Sequence, residues 1–588
     1  MLNPKNNRLD YGSILSPPLN YQLDFAIGTT YSLDLDALVG ASISLGLAAE
    51  NDTDLNENPI FLLEALRSTA DKVALFCESG QIKLPNKPTP LYVLLEDMVF
   101  QVTNNNNTPY SKYASFHPKV WILRYINHEN DALYRLVVLS RNLTFDRSWD
   151  LTFSMDGKIT DKKTSKNNPL IKFIEYLSGY CSNGIKSDKM EEITHELEFV
   201  EFELDSPVFE GFEFIVNGIE GANPIQNQQL FKSSSLDRLL IMSPFLSKDI
   251  IKDFNDRKNQ KSEAVLITRL NSLGQLKHEN LDKFIFYSLK DEVIDGESLL
   301  SEDVNQKQDI HAKMYVVEKT KYTDLYLGSL NASHNALYGN VEFMIKLGAQ
   351  KHRFNINKLL KSMFNDEKDS PFRLVNMDEI KVVAEDGNNL DLAVKDIVRL
   401  NAKAKVVSNQ ENYNLVVSFA GDCGEYDIEI RPLLSNKTAK FAKTVMFENL
   451  TKDKLSEFFV ISVSQGEERI ERVIKIPVDN LPDDRQNVIV SSIIKDRTAF
   501  IRYVAFLLGD EYVLSSVEDE GEEADGGSKN GFAVQLPELY EKMLKSALYA
   551  PERFTELEFL IKMLSDDEVV PEGFEELYDT FKEVINDE

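Results

Sequence analysis

Apolar and polar positions over residues 20–375 follow two rhythms, short unbroken apolar runs and longer stretches with one apolar face. The run 23–30 predicts a strand that ends in small residues. Residues 34–47, with Leu and Ala on one face, predict a helix, and 60–71 a second one, across a polar turn at 51–58. Strands are predicted at 73–77 and 91–100, and a loop at 101–110, where four Asn stand in a row. Residues 116–123 and 136–142 are strand-like, 171–180 helical and 188–204 charged, and 208–216 is a short aromatic-rich strand. The order then starts again. Residues 236–245 run as a strand into a turn, 247–257 predict a helix with Ser247 as N-cap, and 264–268 predict a strand. Residues 310–317 and 325–331 are strand-like once more. A recurrence of this size is an internal repeat, and the alternation predicts a mixed α/β sheet in each half.

From about residue 376 the rhythm changes. Short alternating runs at 380–384, 413–419, 426–431, 458–463 and 469–477 predict a small all-β domain, a sandwich or barrel. Residues 483–508 become helical, and 517–527 form an acidic, Gly-containing linker. Three amphipathic helices at 536–550, 551–565 and 571–585 end the sequence, with Pro551 and Pro571 suited to first helical turns. The expected boundaries are thus 1–215, 216–375, 376–482 and 483–588.

The recurring strands carry chemistry. Residues i and i+2 of a strand point the same way. His117 and Lys119 therefore share a face, as do Ser140 and Asn142. The second half repeats the set with His311, Lys313, Ser329 and Asn331, and each set is followed by a carboxylate, Asp150 or Glu342. An imidazole, an ammonium, a hydroxyl and an amide gathered together make a site for a phosphate. Neither HxK nor SxN is specific alone. Two ordered sets 194 residues apart, counted from His117 to His311, are a much stronger signal. The remaining histidines, His128, His195, His278, His334 and His352, stand outside any such pattern.

This pattern resembles the phospholipase D superfamily, whose signature is HxK, an Asp five residues after the Lys, and a GSxN segment. Gly328-Ser329-Leu330-Asn331 is the closer match. The first copy, Leu139-Ser140-Arg141-Asn142, is more similar to the tyrosyl-DNA phosphodiesterase branch, in which that Gly is replaced. The signature Asp is absent from both copies, where Arg124 and Glu318 stand instead. The resemblance implies two phospholipase D-like α/β repeats around a pseudo-twofold active site. It implies a nucleophilic histidine, taken as His117, and a general acid, taken as His311. Lys119, Lys313, Asn142 and Asn331 would hold phosphoryl oxygens, while Ser140, Ser329, Asp150 and Glu342 would support the site. No metal or other cofactor is implied. The implied activity is a nuclease or phosphodiesterase acting on DNA or RNA. Its setting would be a bacterial restriction or anti-phage system, with a helicase or ATPase partner bound through the C-terminal region. A lipid phosphodiesterase or an idle nucleic-acid-binding scaffold are the alternatives.

Composition refines this reading. A hydrophobic content of 43% and a charged content of 27% are those of an ordinary globular protein. No apolar run approaches the roughly 20 residues of a membrane span, and the first residues carry no secretory signal. Cys77, Cys181 and Cys423 stand far apart with no metal spacing, which fits a reducing cytoplasm. The net charge is −30, of which residues 501–588 carry −16, from 7 Lys and Arg against 23 Asp and Glu. An acidic protein binds nucleic acid weakly by itself, so a delivering partner or a restraining tail is expected.

Overall fold

The computed structural model describes residues 11–47, 59–104, 114–146, 148–259, 263–276, 279, 281–290, 309–364, 370–380, 389–410, 412–423, 426–508, 543–544, 546, 553–564, 569–571 and 574–586. The protein is mixed α/β with several sheets. The first sheet contains β1 (Tyr21–Thr30), β2 (Val73–Glu78), β3 (Val99–Val102), β4 (Val120–Asn127) and β5 (Ala132–Leu139). After the two-residue β6 (Ser148–Trp149), it is completed by β7 (Thr152–Ile159) and β8 (Val200–Phe202), in the order β3-β2-β1-β4-β5-β7-β8. The second sheet takes β9 (Gly211–Asn217), β10 (Arg238–Met242), β11 (Ala264–Ile267) and β12 (Phe284–Leu289). Past the short β13 (Asp309–Ile310) come β14 (Met314–Glu318), β15 (Tyr322–Gly328), β16 (Glu342–Gln350) and β17 (Phe372–Val375). Its order is β17-β12-β11-β10-β14-β15-β16-β9.

The pairings run alike in both sheets. β1 is parallel to β2 and β2 to β3, whereas β1 is antiparallel to β4. Likewise β10 is parallel to β11 and β11 to β12, with β14 antiparallel to β10. Parallel strands are covered on both faces and so need continuous apolar runs. β2 and β11 are buried at every position. Alternation sorts the neighbouring strands onto two faces. Ile122 and Val138 join Val316, Leu327 and Ile345 in one core between the sheets. Trp121, Leu123 and Val137 face the other way, toward the helices Leu35–Leu47 and Pro59–Ala70.

The halves also exchange backbone. β6 of the first half pairs in parallel with β13 of the second. Phe116 of the first half bridges Val341 of the second, and His117 N–H donates to Val341 O at 2.9 Å. Each histidine is therefore hung on a segment of the opposite half.

Beyond residue 380, β18 (Lys403–Asn409), β19 (Asn412–Ser418), β22 (Thr444–Leu450) and β25 (Val478–Asp479) form one four-stranded sheet. β20 (Asp427–Pro432), β21 (Ala439–Lys440), β23 (Phe458–Gln465) and β24 (Glu468–Lys475) form another. Val417 and Phe447 of one share an apolar cluster with Ile430 and Ile461 of the other. This part is fastened to the first half. Glu96, buried, accepts from Arg485 at 2.7 Å, Ser456 at 2.8 Å and the Glu457 amide at 2.9 Å. Tyr503, Leu557 and Phe574, on the C-terminal helices Arg497–Leu507, Arg553–Leu564 and Phe574–Asn586, pack into the core of Leu38, Leu63 and Leu66. Among the described residues, no helix is long and apolar enough to cross a membrane.

Several expectations change. The run 91–100 is not one strand. Pro90 opens a 3-10 turn, Pro90–Leu95, capped by Thr89, and the strand is only Val99–Val102. All of Leu91–Leu95 is buried, so the apolar run carried no period to distinguish the two. The HxK triplets lie just before β4 and β14 rather than within them, and the SxN triplets just after β5 and β15. Residues 215 and 216, at the expected boundary, lie inside β9 of the second sheet. Helices Gly184–Leu197 and Asn389–Val398 and strands β18 and β22 were not anticipated. Ser247 stands at the N-cap of Lys248–Arg257, but its hydroxyl accepts instead from the His334 amide at 2.9 Å. The expectations for 51–58, 381–384, 517–527 and His278 fall outside the described residues.

Candidate active site

Two antiparallel pairs, β4–β5 and β14–β15, deliver the motifs. His117 has Nδ1 at 3.0 Å from Glu342 Oε2 and Nε2 at 3.2 Å from Lys119 Nζ. A carboxylate accepts only and an ammonium donates only. The network thus assigns the proton to Nδ1 and leaves a lone pair on Nε2. Glu342, fully buried, also accepts from Ser329 Oγ and, at 3.1 Å, from Asn340 Nδ2. The carboxylate of the second half therefore holds the histidine of the first.

Lys313 Nζ reaches across to the Ser140 carbonyl at 3.4 Å and donates to its own His311 carbonyl at 2.7 Å. Lys119 donates likewise to the His117 carbonyl at 3.1 Å. Both lysines are buried. Burial lowers Lys313 to about 8, with Asp150 and Glu342 opposing the shift. Burial and the Lys313 charge push Lys119 well below the usual lysine range. Burial also lowers His117 to about 4, against the pull of Glu342, and His311 to about 3, helped by Lys313, Arg269 and Lys119. Both imidazoles are therefore neutral at pH 7.

The supporting residues match across the halves, with one exception. Ser140 Oγ donates to Asp150 at 3.2 Å and accepts from the Leu151 amide at 2.8 Å. Ser329 Oγ donates to Glu342 and accepts from the Phe343 amide at 3.0 Å. Asn142 and Asn331 each have a buried Oδ1 without a hydrogen-bond partner. The exception is Asp150. Where Glu342 holds a histidine, the oxygens of Asp150 are taken by Ser140 and Ser148. His311 is fixed through its backbone, since its amide and that of Ala312 donate to Trp149 O at 3.0 Å. Its ring forms no side-chain hydrogen bond among the described residues.

Arg124 and Glu318, five positions after the lysines, are structural. Arg124 binds Asp24 at 2.5 Å and Glu196 at 2.8 Å. Glu318 binds Lys351 at 3.0 Å and accepts from the Ile356 amide at 2.8 Å. Arg141 closes its own loop on the Thr144 carbonyl at 2.7 Å. His128, His195 and His352 are exposed, and His334 pairs with Asp249 at 2.8 Å. Among the described residues no group of three or more His, Cys, Asp or Glu is placed to hold a metal ion.

Gly328 is required where it stands. At φ +148° a Cβ would lie 2.3 Å from Phe343 O and 2.8 Å from Met344 Cα. Gly328→Ala is expected to lower stability by about 1–3 kcal/mol and to reduce activity by spreading β15 from β16, displacing Ser329, just past β15, from Glu342 at the start of β16. Thermal unfolding beside an activity assay checks both.

Four neighbours of the site carried no motif. The Tyr31 ring lies 5.1 Å from that of His117. Glu78 accepts from the Phe116 amide at 2.7 Å and pairs with Lys395 at 3.0 Å. Arg269 donates to the Ile310 carbonyl at 2.9 Å. Tyr31, Glu78 and Arg269 stand at or just past the carboxyl ends of parallel strands, where α/β sheets place ligand sites, and that position is the signal that could have found them.

No family model matches the chain, and no curated protein matches it. Among solved structures the chain is similar to yeast tyrosyl-DNA phosphodiesterase, at 13% identity over 58% of this chain and 85% of that one, with a TM-score of 0.33. It is similar to phosphatidylserine synthase of Haemophilus influenzae Rd KW20, at 12% identity over 65% and 88%, with a TM-score of 0.35. It is also similar to polyphosphate kinase of Porphyromonas gingivalis, at 13% identity over 66% and 49%, with a TM-score of 0.33. Likenesses this distant carry no argument about function, which rests on the chain's own residues.

Proposed function

We propose that the chain is a metal-independent phosphodiesterase of the phospholipase D type, built from two such repeats, that cleaves DNA or RNA through a covalent histidine intermediate. The observation that carries this reading is the His117–Glu342 pair beside the two buried lysines. A neutral imidazole with Nδ1–H held by a carboxylate is an activated nucleophile at Nε2. In the first step Nε2 of His117 attacks phosphorus, and the bond to the leaving oxygen breaks as the N–P bond forms. His311 gives that oxygen its proton. In the second step His311 takes a proton from water, the water oxygen bonds to phosphorus, and His117 departs neutral.

Lys119 and Lys313 neutralise the non-bridging oxygens where charge develops, and the amides of Asn142 and Asn331 donate to them. Ser140, Ser329, Asp150 and Glu342 hold this set in place. A bound diester anion raises the affinity of His311 for its proton, so that His311 serves as the acid in the first step. The partner we propose is a helicase or ATPase bound through the C-terminal region, in a bacterial defence setting, and a pull-down tests it.

The test is cleavage of single- and double-stranded DNA and RNA in EDTA, with phosphatidylcholine vesicles as a fifth substrate. Cleavage of a nucleic acid that His117→Ala and His311→Ala both remove is the expected result. Turnover of the vesicles alone would overturn the nucleic-acid reading.

A further inference from the structure

The two halves can be aligned residue by residue through their ladders. Gly28 faces Trp121, four residues after His117, and Leu75 on its other side. Ile241 faces Tyr315, four residues after His311, and Leu266 on its other side. Three residues beyond Leu75 and Leu266 stand Glu78 and Arg269, so these two occupy equivalent positions. Each reaches the residue before its histidine, Glu78 at the Phe116 amide and Arg269 at the Ile310 carbonyl, 2.9 Å away. Their charges are opposite. Glu78 is buried and closed off by Lys395. Arg269 has a side chain 19% exposed, and its Nε is shared between Ile310 O and Asp309 at 2.9 Å. Its two terminal nitrogens make no hydrogen bond among the described residues. The guanidinium lies 4.8 Å from the ring centre of Phe245, which is 50% exposed.

We propose that Arg269 and Phe245 form a nucleotide subsite on the His311 side of the cleft, holding the next phosphate and the next base of the strand that leaves. The proposal rests on the nuclease reading above and on His311 as the acid that protonates the leaving oxygen. A guanidinium anchored at Nε presents its free fork to a phosphate, and an exposed aromatic ring beside it offers a face on which any base can stack. On the His117 side the equivalent position is the carboxylate Glu78, which is paired with Lys395. A cationic leaving group such as choline would be repelled at this position, whereas a polynucleotide strand is attracted.

The experiment compares a single-stranded oligonucleotide with bis(p-nitrophenyl) phosphate, a diester with no second phosphate and no base, on wild type, Arg269→Ala, Arg269→Lys and Phe245→Ala. Arg269→Ala is expected to lower kcat/KM for the oligonucleotide about 10–100-fold through KM. It should also reduce the slope of log kcat/KM against log salt by about 0.7, the value for one lost phosphate contact on a single strand. Phe245→Ala is expected to cost about tenfold on the oligonucleotide, and Arg269→Lys to recover the salt slope. The small diester should change less than about threefold in Arg269→Lys and Phe245→Ala, which keep the positive charge beside His311. Equal losses on both substrates, or an unchanged salt slope, would overturn the subsite and leave the nuclease reading intact. A wild type that cleaves neither substrate would overturn the nuclease reading, and the subsite with it.

Discussion

His117→Ala is expected to lower turnover by roughly 10,000-fold or more on every substrate, since removal of a nucleophile costs on that order. His311→Ala should behave differently. A general acid contributes about 100–10,000-fold when the leaving group is an alkoxide, and little when it is p-nitrophenolate, which departs without a proton. His311→Ala should therefore release one equivalent of p-nitrophenol in a burst and then stall, because no base activates water for the second step. His117→Ala should show no burst. The asymmetry comes from one contact, since Glu342 fixes the tautomer of His117 while the equivalent Asp150 is turned to Ser140 and Ser148. A burst in His117→Ala and none in His311→Ala would exchange the two roles.

The second large effect concerns Lys313. Burial lowers it to about 8, from an unfolded value near 10.4. Between those values the unfolded chain binds more protons, so stability rises with pH from about 8 to about 10.4. At pH 7 the charged, buried ammonium costs the fold about 3 kcal/mol by the same relation. Lys313→Met is accordingly expected to raise stability at neutral pH by about 2–3 kcal/mol, measured by chemical denaturation, while activity falls about 1,000-fold for loss of a charge-stabilising group. The carboxylates it leaves, Asp150 and Glu342, keep their serine partners. In the wild type, kcat/KM for a p-nitrophenyl diester, whose first step needs no acid, should decline above pH 8 as free Lys313 loses its proton. The corresponding limb in kcat should lie higher, because bound phosphate favours the ammonium. A less stable Lys313→Met would contradict the account.

The candidate residues stood out because each half repeats the same ordered set, and the fold brings His117 and Lys119 to Glu342, and Lys313 to Ser140. The placement of the triplets on strands was less so. Pro118 and the cross-half hydrogen bonds to Val341 and Trp149 keep both HxK segments out of the ladders, and a cross-half bond leaves no local pattern. The run 91–95 misled for a related reason, since burial on all sides erases the period that separates strand from helix. Glu78 and Arg269 belong to no repeated motif; their place at or just past the carboxyl ends of β2 and β11 was the one signal for them, and their equivalence emerges only once the two ladders are superposed. In the region past residue 376, β18 and β22 bury alternate residues only at their starts; β18 then ends in exposed Ser408 and Asn409, and β22 passes through exposed Glu448 and Asn449 before Leu450, so the alternation was too short to mark a strand.

The central claim is a covalent intermediate on His117. Its most direct test is to mix His311→Ala with thymidine 5′-p-nitrophenyl phosphate in EDTA, quench, and map the adduct by peptide mass. The account predicts one nucleotidyl group per chain, on the peptide containing His117, stable to base and labile to acid. Turnover with no adduct, or an adduct on a residue other than His117, would contradict it.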